Sequence, residues 1–109
     1  MIQLTDEQIR DQAIDVLKTV YDPEIPVNIY ELGLIYDVSV LDADEGKELL
    51  VLMTLTAPNC PVAGSLPLEV ENKLRGLHGI SDARVEITWN PPWEMSKMSE
   101  EARLQLGLL

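Results

Sequence analysis

The spacing of apolar residues along the chain divides it into alternating helical and extended segments. Apolar residues at helical spacing predict a first helix over 6–21. They are Ile9, Ala13, Val16, Leu17 and Val20. Thr5 followed three residues later by Gln8 matches a capping box, in which two side chains satisfy exposed backbone donors. Pro23 should end this helix, because proline disfavours the helical state in the residue before it.

Strand periodicity appears in three places. Alternation of apolar and polar residues predicts a strand over 34–41. A nearly unbroken apolar run over 49–56 predicts a second strand, buried on both faces. The short polar turn between them contains Gly46, so we expect the two strands to form a hairpin. A third strand is predicted over 83–89, where every second residue is apolar.

A second helix is expected within 61–77, and its start has two possible positions. Pro61 would suit the first helical residue, since its missing N–H has no partner there anyway. Pro67 would then interrupt the helix interior, so Ser65 could instead cap a later start. Beyond Asn90 two prolines end the strand pattern, and Ser99 is the expected N-cap of a final helical turn.

These elements together predict an α/β fold, a single small two-layer sandwich spanning residues 1–109. The order is helix, hairpin, helix, strand, which gives a three-stranded mixed sheet covered by two helices and an irregular C-terminal tail. The connection from strand two through helix two to strand three is expected to be a right-handed parallel crossover.

Charge and composition narrow the classes of function. The chain of 109 residues has 19 acidic and 8 basic residues, for a net charge of -11. It contains no cluster of Lys and Arg, which argues against binding to nucleic acid or to a membrane surface. No secretory signal is visible, and no apolar run approaches the roughly 20 residues that span a bilayer. With one cysteine, these features predict a cytoplasmic protein.

Cys60 is the single cysteine and therefore cannot form an intrachain disulfide. A helix that begins at or just after Cys60 would favour its thiolate, which attacks electrophiles and binds soft metals. A buried and inert cysteine is the alternative. The flanking prolines Pro58 and Pro61 favour the functional interpretation, because they fix the backbone and add little to a core.

Three further residues are candidates for the same site. Asp22 and Glu24 are carboxylates in a proline-spaced loop and could bind iron through oxygen. Alternatively, Asp22 ends the helix and Glu24 is solvated. Thr56 should project near Cys60, although strand propensity explains its presence equally well. The one histidine, His78, would lie at the far end of helix two, too distant for a nucleophilic pair with Cys60.

Aromatic and sulfur-containing residues are concentrated near the C-terminus. Tryptophan is enriched at protein interfaces, and methionine adapts to varied partners, so these residues could bind a partner. They could equally fold back over the small core. The residues are Trp89, Trp93, Met95 and Met98.

Four motifs follow one another along nearly the whole chain. They are Asp22-Pro23-Glu24-Ile25-Pro26 with Asn28-Ile29-Tyr30-Glu31-Leu32-Gly33-Leu34-Ile35, Met53-Thr54-Leu55-Thr56-Ala57-Pro58-Asn59-Cys60-Pro61, Val85-Glu86-Ile87 with Asn90-Pro91-Pro92-Trp93, and Met98-Ser99-Glu100-Glu101-Ala102-Arg103 with Leu106-Gly107. In this order they resemble the small iron–sulfur assembly factors of the SufT type. That family is related to the eukaryotic cytosolic iron–sulfur targeting subunits and to the phenylacetate-degradation assembly protein PaaD.

The resemblance implies an α/β domain that takes part in the maturation of iron–sulfur proteins. It implies that Cys60 is the functional thiol and that Asp22, Glu24 and Thr56 belong to the same site. Transient iron or an iron–sulfur cluster is the implied cargo, not required for folding. PaaD-like members carry additional cysteines, and this chain has one, so the PaaD role is disfavoured.

Our leading hypothesis is an accessory factor for iron–sulfur cluster assembly that is not an enzyme. Its partners would be the assembly machinery and client apoproteins, and a homodimer would bring two copies of Cys60 together. The second hypothesis is an adaptor that binds no metal and docks clients to the machinery. A thiol-redox protein is the third, weakened by the lack of a second cysteine.

Overall fold

The computed structural model describes residues 4–22, 25–56 and 66–107. Its elements are α1 (Asp6–Leu17), β1 (Ile35–Asp42), β2 (Lys47–Met53), α2 (Leu66–Arg75), β3 (Ile80–Ile87), a 3-10 turn (Met95–Lys97) and α3 (Glu100–Gln105). The strands lie in the order β1-β2-β3, with β1 antiparallel and β3 parallel to β2. The predicted α/β class, hairpin and mixed sheet are therefore confirmed.

Helix α1 has the predicted start and an earlier end. Thr5 and Gln8 form the capping box, in which the Thr5 hydroxyl accepts from the Gln8 backbone N–H at 3.1 Å. The helix ends at Leu17, four residues before the predicted end at residue 21. Val20 is buried, and its carbonyl oxygen accepts from Ile29 N at 2.8 Å, so it pairs with the following loop instead of continuing the helix.

Strand β2 is fully buried on one face only, so the expectation of two buried faces was wrong. Leu49, Val51 and Met53 are buried, whereas Leu50 and Leu52 are half-buried. The difference arises because α1 packs on β1, α2 packs on β3, and the two helices contact each other over the same side of the sheet. This arrangement leaves the opposite side of β2 without a helix from the described part of the chain.

Helix α2 begins at Leu66, which places Pro67 in the first turn. Backbone N–H groups in a first turn have no intrahelical acceptor, so proline is tolerated there. The proposed start at Pro61 and the proposed cap Ser65 lie outside the described residues.

Two side chains of α2 reach the outer edge of β3. Glu71 accepts a hydrogen bond from Val85 N at 2.9 Å, and Arg75 donates to the carbonyl oxygen of Ala83 at 3.1 Å. These backbone groups of an edge strand would otherwise be open to pairing with another strand. Helix α2 therefore covers the sheet at this edge.

The C-terminal tail is built into the fold. Met98 and Ala102 are part of the buried core, and Ser99 caps α3 as predicted, accepting from Ala102 N at 3.1 Å. Ser99 N also donates to the carbonyl oxygen of Glu31 at 2.8 Å. The tail thus packs on the loop that precedes β1.

Candidate functional site

Asp22 lies in a closed turn at the end of the segment that follows α1. The residue is 3% exposed, and its Oδ1 accepts from the backbone N–H of Ile25 at 3.1 Å. Its own N–H donates to the carbonyl oxygen of Val27 at 3.3 Å. Local side-chain bonds of this kind are typical of Asp in turns. The carboxylate therefore shapes the loop that contains it.

A series of three backbone hydrogen bonds connects the segment before Asp22 to the end of β2. Ile29 N donates to Val20 O at 2.8 Å, and Leu34 N donates to Ile29 O at 3.2 Å. Thr54 N then donates to Leu34 O at 2.8 Å. Asp22 follows Val20 by two residues, and the segment leading to Cys60 begins just after Thr54. The segment that follows Asp22 and the segment that leads to Cys60 therefore begin at the same end of the sheet.

Thr54 is a buried polar residue at this end of the sheet. It is 0% exposed, and among the residues that the structure describes its Oγ1 has no hydrogen-bond partner. A buried hydroxyl without a partner costs free energy unless another group satisfies it. The Thr54 hydroxyl tends to lower the pKa of the Tyr36 phenol.

Tyr36 connects the site to the tail. Its hydroxyl donates to the carbonyl oxygen of Pro91 at 2.8 Å, and Lys97 Nζ lies 5.2 Å from the ring centroid. Burial raises the pKa of the Tyr36 phenol above its ordinary value, Thr54 opposes this rise, and the Glu94 carboxylate adds to it. The neutral phenol is the donor in the hydrogen bond to Pro91.

Two of the four predicted site residues lie within the described part of the chain. Asp22 is buried and Thr56 is half-buried, whereas Cys60 and Glu24 lie outside the described residues. Within residues 4–22, 25–56 and 66–107, no three His, Cys, Asp or Glu side chains gather as metal ligands. Tyr36 was missed from the sequence, because its contacts with Thr54 and Pro91 depend on the folded chain.

The candidate partner residues of the tail divide into two kinds. Trp89 is 44% exposed and Met95 is 54% exposed. Met98 is 6% exposed and belongs to the core, while Trp93 is half-buried and donates to Leu32 O at 2.7 Å. Trp89 and Met95 are thus accessible at the surface, whereas Trp93 and Met98 hold the tail in place.

Comparison with known proteins identifies the family. A family model described as iron-sulfur cluster assembly protein matches residues 10–87. The chain belongs to this family. The resemblance to SufT-type factors is thereby confirmed. None of the described helices is long and apolar enough to cross a membrane.

The relatives of this family member share most of its length. A protein of Porphyromonas gingivalis named Fe-S protein maturation auxiliary factor is 45% identical over 94% of each chain. The Fe-S protein maturation auxiliary factor SufT of Staphylococcus aureus is 40% identical, over 82% of this chain and 98% of that protein. A crystal structure of a domain of unknown function, DUF59, from Bacillus anthracis superposes with a TM-score of 0.83 at 33% identity, covering 95% of this chain and 96% of the other.

Proposed function

We propose that this protein is an auxiliary factor that helps to install iron–sulfur clusters in client proteins of the cytoplasm. The observation that carries the proposal is its similarity to a protein named as a maturation auxiliary factor over 94% of both chains. The factor takes iron or a nascent cluster as transient cargo and passes it on. It turns over no substrate of its own.

Cys60 is the proposed ligand for this cargo. A thiolate is a soft ligand and suits iron in clusters. Cys60 follows Thr56 by four residues in the sequence, and a series of backbone hydrogen bonds from Val20 to Thr54 connects the segment before Asp22 to the end of β2. Clusters are usually held by four cysteines, and this chain has one. Further thiolate ligands therefore come from the client, a small thiol or a second copy of the chain.

Asp22 and Glu24 are the proposed auxiliary ligands, through carboxylate oxygen. The bond from Ile25 N to Asp22 Oδ1 joins the described residues that precede and follow Glu24 in the sequence. Asp22 thus accepts a hydrogen bond within its own segment in addition to its proposed role as a ligand. Thr56, which is half-buried and precedes Cys60 by four residues in the sequence, is the proposed supporting residue.

The decisive experiment is complementation of a strain that lacks this gene, with the activity of an iron–sulfur client enzyme as the readout. We expect Cys60→Ser to abolish client maturation while circular dichroism shows an intact fold. Asp22→Asn and Glu24→Gln should reduce it, and Asp15→Asn, at an exposed position on α1, should not. Full client activity with Cys60→Ser would remove the thiol from the mechanism.

An adaptor that binds no metal is the main rival, and anaerobic iron titration separates the two. Iron bound through Cys60 produces a thiolate-to-iron charge-transfer band that Cys60→Ser lacks. An adaptor binds no iron and shows no such band. A thiol-redox role is tested by the thiol pKa, where a value near the ordinary 8.5 argues against enhanced reactivity. Sedimentation with and without iron tests the homodimer.

The exposed Trp89 and Met95 are the proposed contacts for client proteins. Large side chains with exposed apolar surface are the ones that bury most area when a partner binds. Trp89→Ser and Met95→Ser should weaken client binding, whereas Leu104→Ser, at a 61% exposed position on α3, should have little effect. Equal effects of all three would show that no specific surface is involved.

A further inference from the structure

One face of the sheet carries a regular array of nine side chains. Strand pairing aligns residues across all three strands, and alternate residues point to the same face. The residues opposite the helix-covered face form three rows. The rows are Asp37–Leu52–Glu86, Ser39–Leu50–Arg84 and Leu41–Glu48–Asp82. We call this array the open face, because α1 and α2 pack on the other side of the sheet.

An apolar stripe crosses the open face diagonally. Leu52 and Leu50 follow one another on β2, and Leu41 is the diagonal neighbour of Leu50 on β1. Diagonal neighbours in a sheet lie about 7–8 Å apart, within reach of long side chains. Leu41 is 41% exposed, and the half-buried Leu50 and Leu52 do not belong to the hydrophobic core or to the residues packed against it. Within the described residues the stripe is therefore separate from the core and can contact a partner.

Acidic residues surround this stripe. Four of the six other positions in the array carry a carboxylate, and one carries a guanidinium. The carboxylates belong to Asp37, Glu48, Asp82 and Glu86. Arg84 lies 3.8 Å from Glu48, and Arg75 reaches from α2 to Asp82 at 3.0 Å. Two acidic residues, Asp37 and Glu86, flank Leu52 in a single row.

We propose that the open face binds a partner protein through an apolar segment flanked by Lys or Arg residues. Leucine contacts supply the attraction. The four carboxylates around the stripe, which we call the acidic rim, select and orient a basic segment. A second copy of this chain is a poor occupant, since a two-fold dimer would set the acidic rim against itself. The proposal goes beyond the assembly role and does not involve Cys60.

The test is a nuclear magnetic resonance titration of the full chain with a synthetic helical peptide that has leucines along one side and lysines on both flanks. Shift changes should concentrate in 37–41, 48–52 and 82–86, and affinity should fall as salt is added. The same peptide with glutamate in place of lysine should not bind. Cys60→Ser should bind like the wild type, so this proposal and the assembly role fail independently.

Matched variants separate specific docking from general attraction to an acidic protein. Leu50→Asn should weaken binding at least about tenfold, whereas Leu68→Asn, at a 57% exposed position on α2, should not. Charge reversal in the rim, Asp37→Lys with Glu86→Lys, should have a similar effect. The same change of charge on α1, Asp11→Lys with Asp15→Lys, should shift affinity less than about twofold.

Three results would overturn the proposal. Shift changes spread over α1 and α2, or equal effects of the rim and α1 reversals, would mean unspecific attraction. A dimer in sedimentation that Leu50→Asn abolishes would mean that a second copy occupies the face. Loss of fold in Leu50→Asn would leave the rim reversal to decide, because its positions lie at the surface.

Discussion

The indole Nε1 of Trp93 donates a 2.7 Å hydrogen bond to the carbonyl oxygen of Leu32, 61 residues earlier in the chain. Near this bond, Ser99 N donates to Glu31 O at 2.8 Å, and Lys97 packs against Gly33. The tail and the loop before β1 are thus joined at successive residues. Substitutions in the tail should therefore also destabilise the loop before β1, and substitutions in that loop should destabilise the tail.

Removal of the indole hydrogen bond should destabilise the protein measurably. Trp93→Phe keeps a ring in place but leaves the Leu32 carbonyl without this donor. We expect the free energy of unfolding to fall by about 1–2 kcal/mol, measured by urea denaturation. Trp89→Phe is the matched control, since Trp89 is 44% exposed, and it should change stability by less than about 0.5 kcal/mol. Equal losses in both variants would contradict a special role for the Trp93 bond.

The close approach at Gly33 should make this position intolerant of a side chain. Gly33 has a φ of +82°, and a Cβ there would overlap the backbone carbonyl of Lys97. Gly107 has a φ of +73° and open space around it, so Gly107→Ala should cost only the left-handed backbone penalty of about 1–2 kcal/mol. Gly33→Ala should cost clearly more in the same denaturation experiment. A smaller loss at Gly33 would show that the tail moves away easily.

The buried hydroxyl of Thr54 should be dispensable for folding. Thr54→Val keeps the shape and removes an oxygen that has no partner within the described residues. The free energy of unfolding should stay constant or rise by about 1 kcal/mol, whereas Thr54→Ala should lower it by about 1–2 kcal/mol through the cavity it creates. The valine variant should also raise the pKa of Tyr36, followed by phenolate absorbance, because Thr54 tends to lower it. A large loss of stability in Thr54→Val would mean that the hydroxyl is bonded after all.

The contribution of Asp82 to the stability of the fold should disappear at acid pH. The hydrogen bond from Arg75 and then that from Ala83 N lower the pKa of Asp82 below its ordinary value of 3.8. A carboxyl with a lowered pKa in the folded state stabilises the fold above its unfolded pKa, and this contribution disappears as pH falls through the folded pKa. Asp82→Asn should therefore lower the thermal midpoint at neutral pH, and the gap to wild type should close below about pH 4. A gap that is independent of pH would exclude this linkage.

Sequence patterns predicted the features that depend on residues close together in the chain. The capping box of α1, the hairpin and the Ser99 cap each depend on residues within a few positions of one another. The end of α1 was predicted too late, because Val20 has helical spacing but pairs with Ile29 in three dimensions. The open side of β2 was predicted as buried, because an apolar run does not show which faces the helices will cover.

The site was predicted less completely than the fold. Asp22 was identified as a candidate ligand, but its burial in a turn closed by Ile25 depends on loop geometry. The contacts of Tyr36 with Thr54 and Pro91 join segments that are distant in sequence, which no local pattern encodes. The role of Cys60 stays a prediction, since it lies outside the described residues.

The contacts of Glu71 and Arg75 with the outer edge of β3 also bear on self-association. Fibrils grow when an exposed strand templates the addition of an identical strand from another molecule. At this edge the carboxylate and the guanidinium already occupy Val85 N and Ala83 O. Polymerisation from β3 would first require both to be displaced, so the truncations Glu71→Ala and Arg75→Ala together would be expected to shorten the lag time of aggregation.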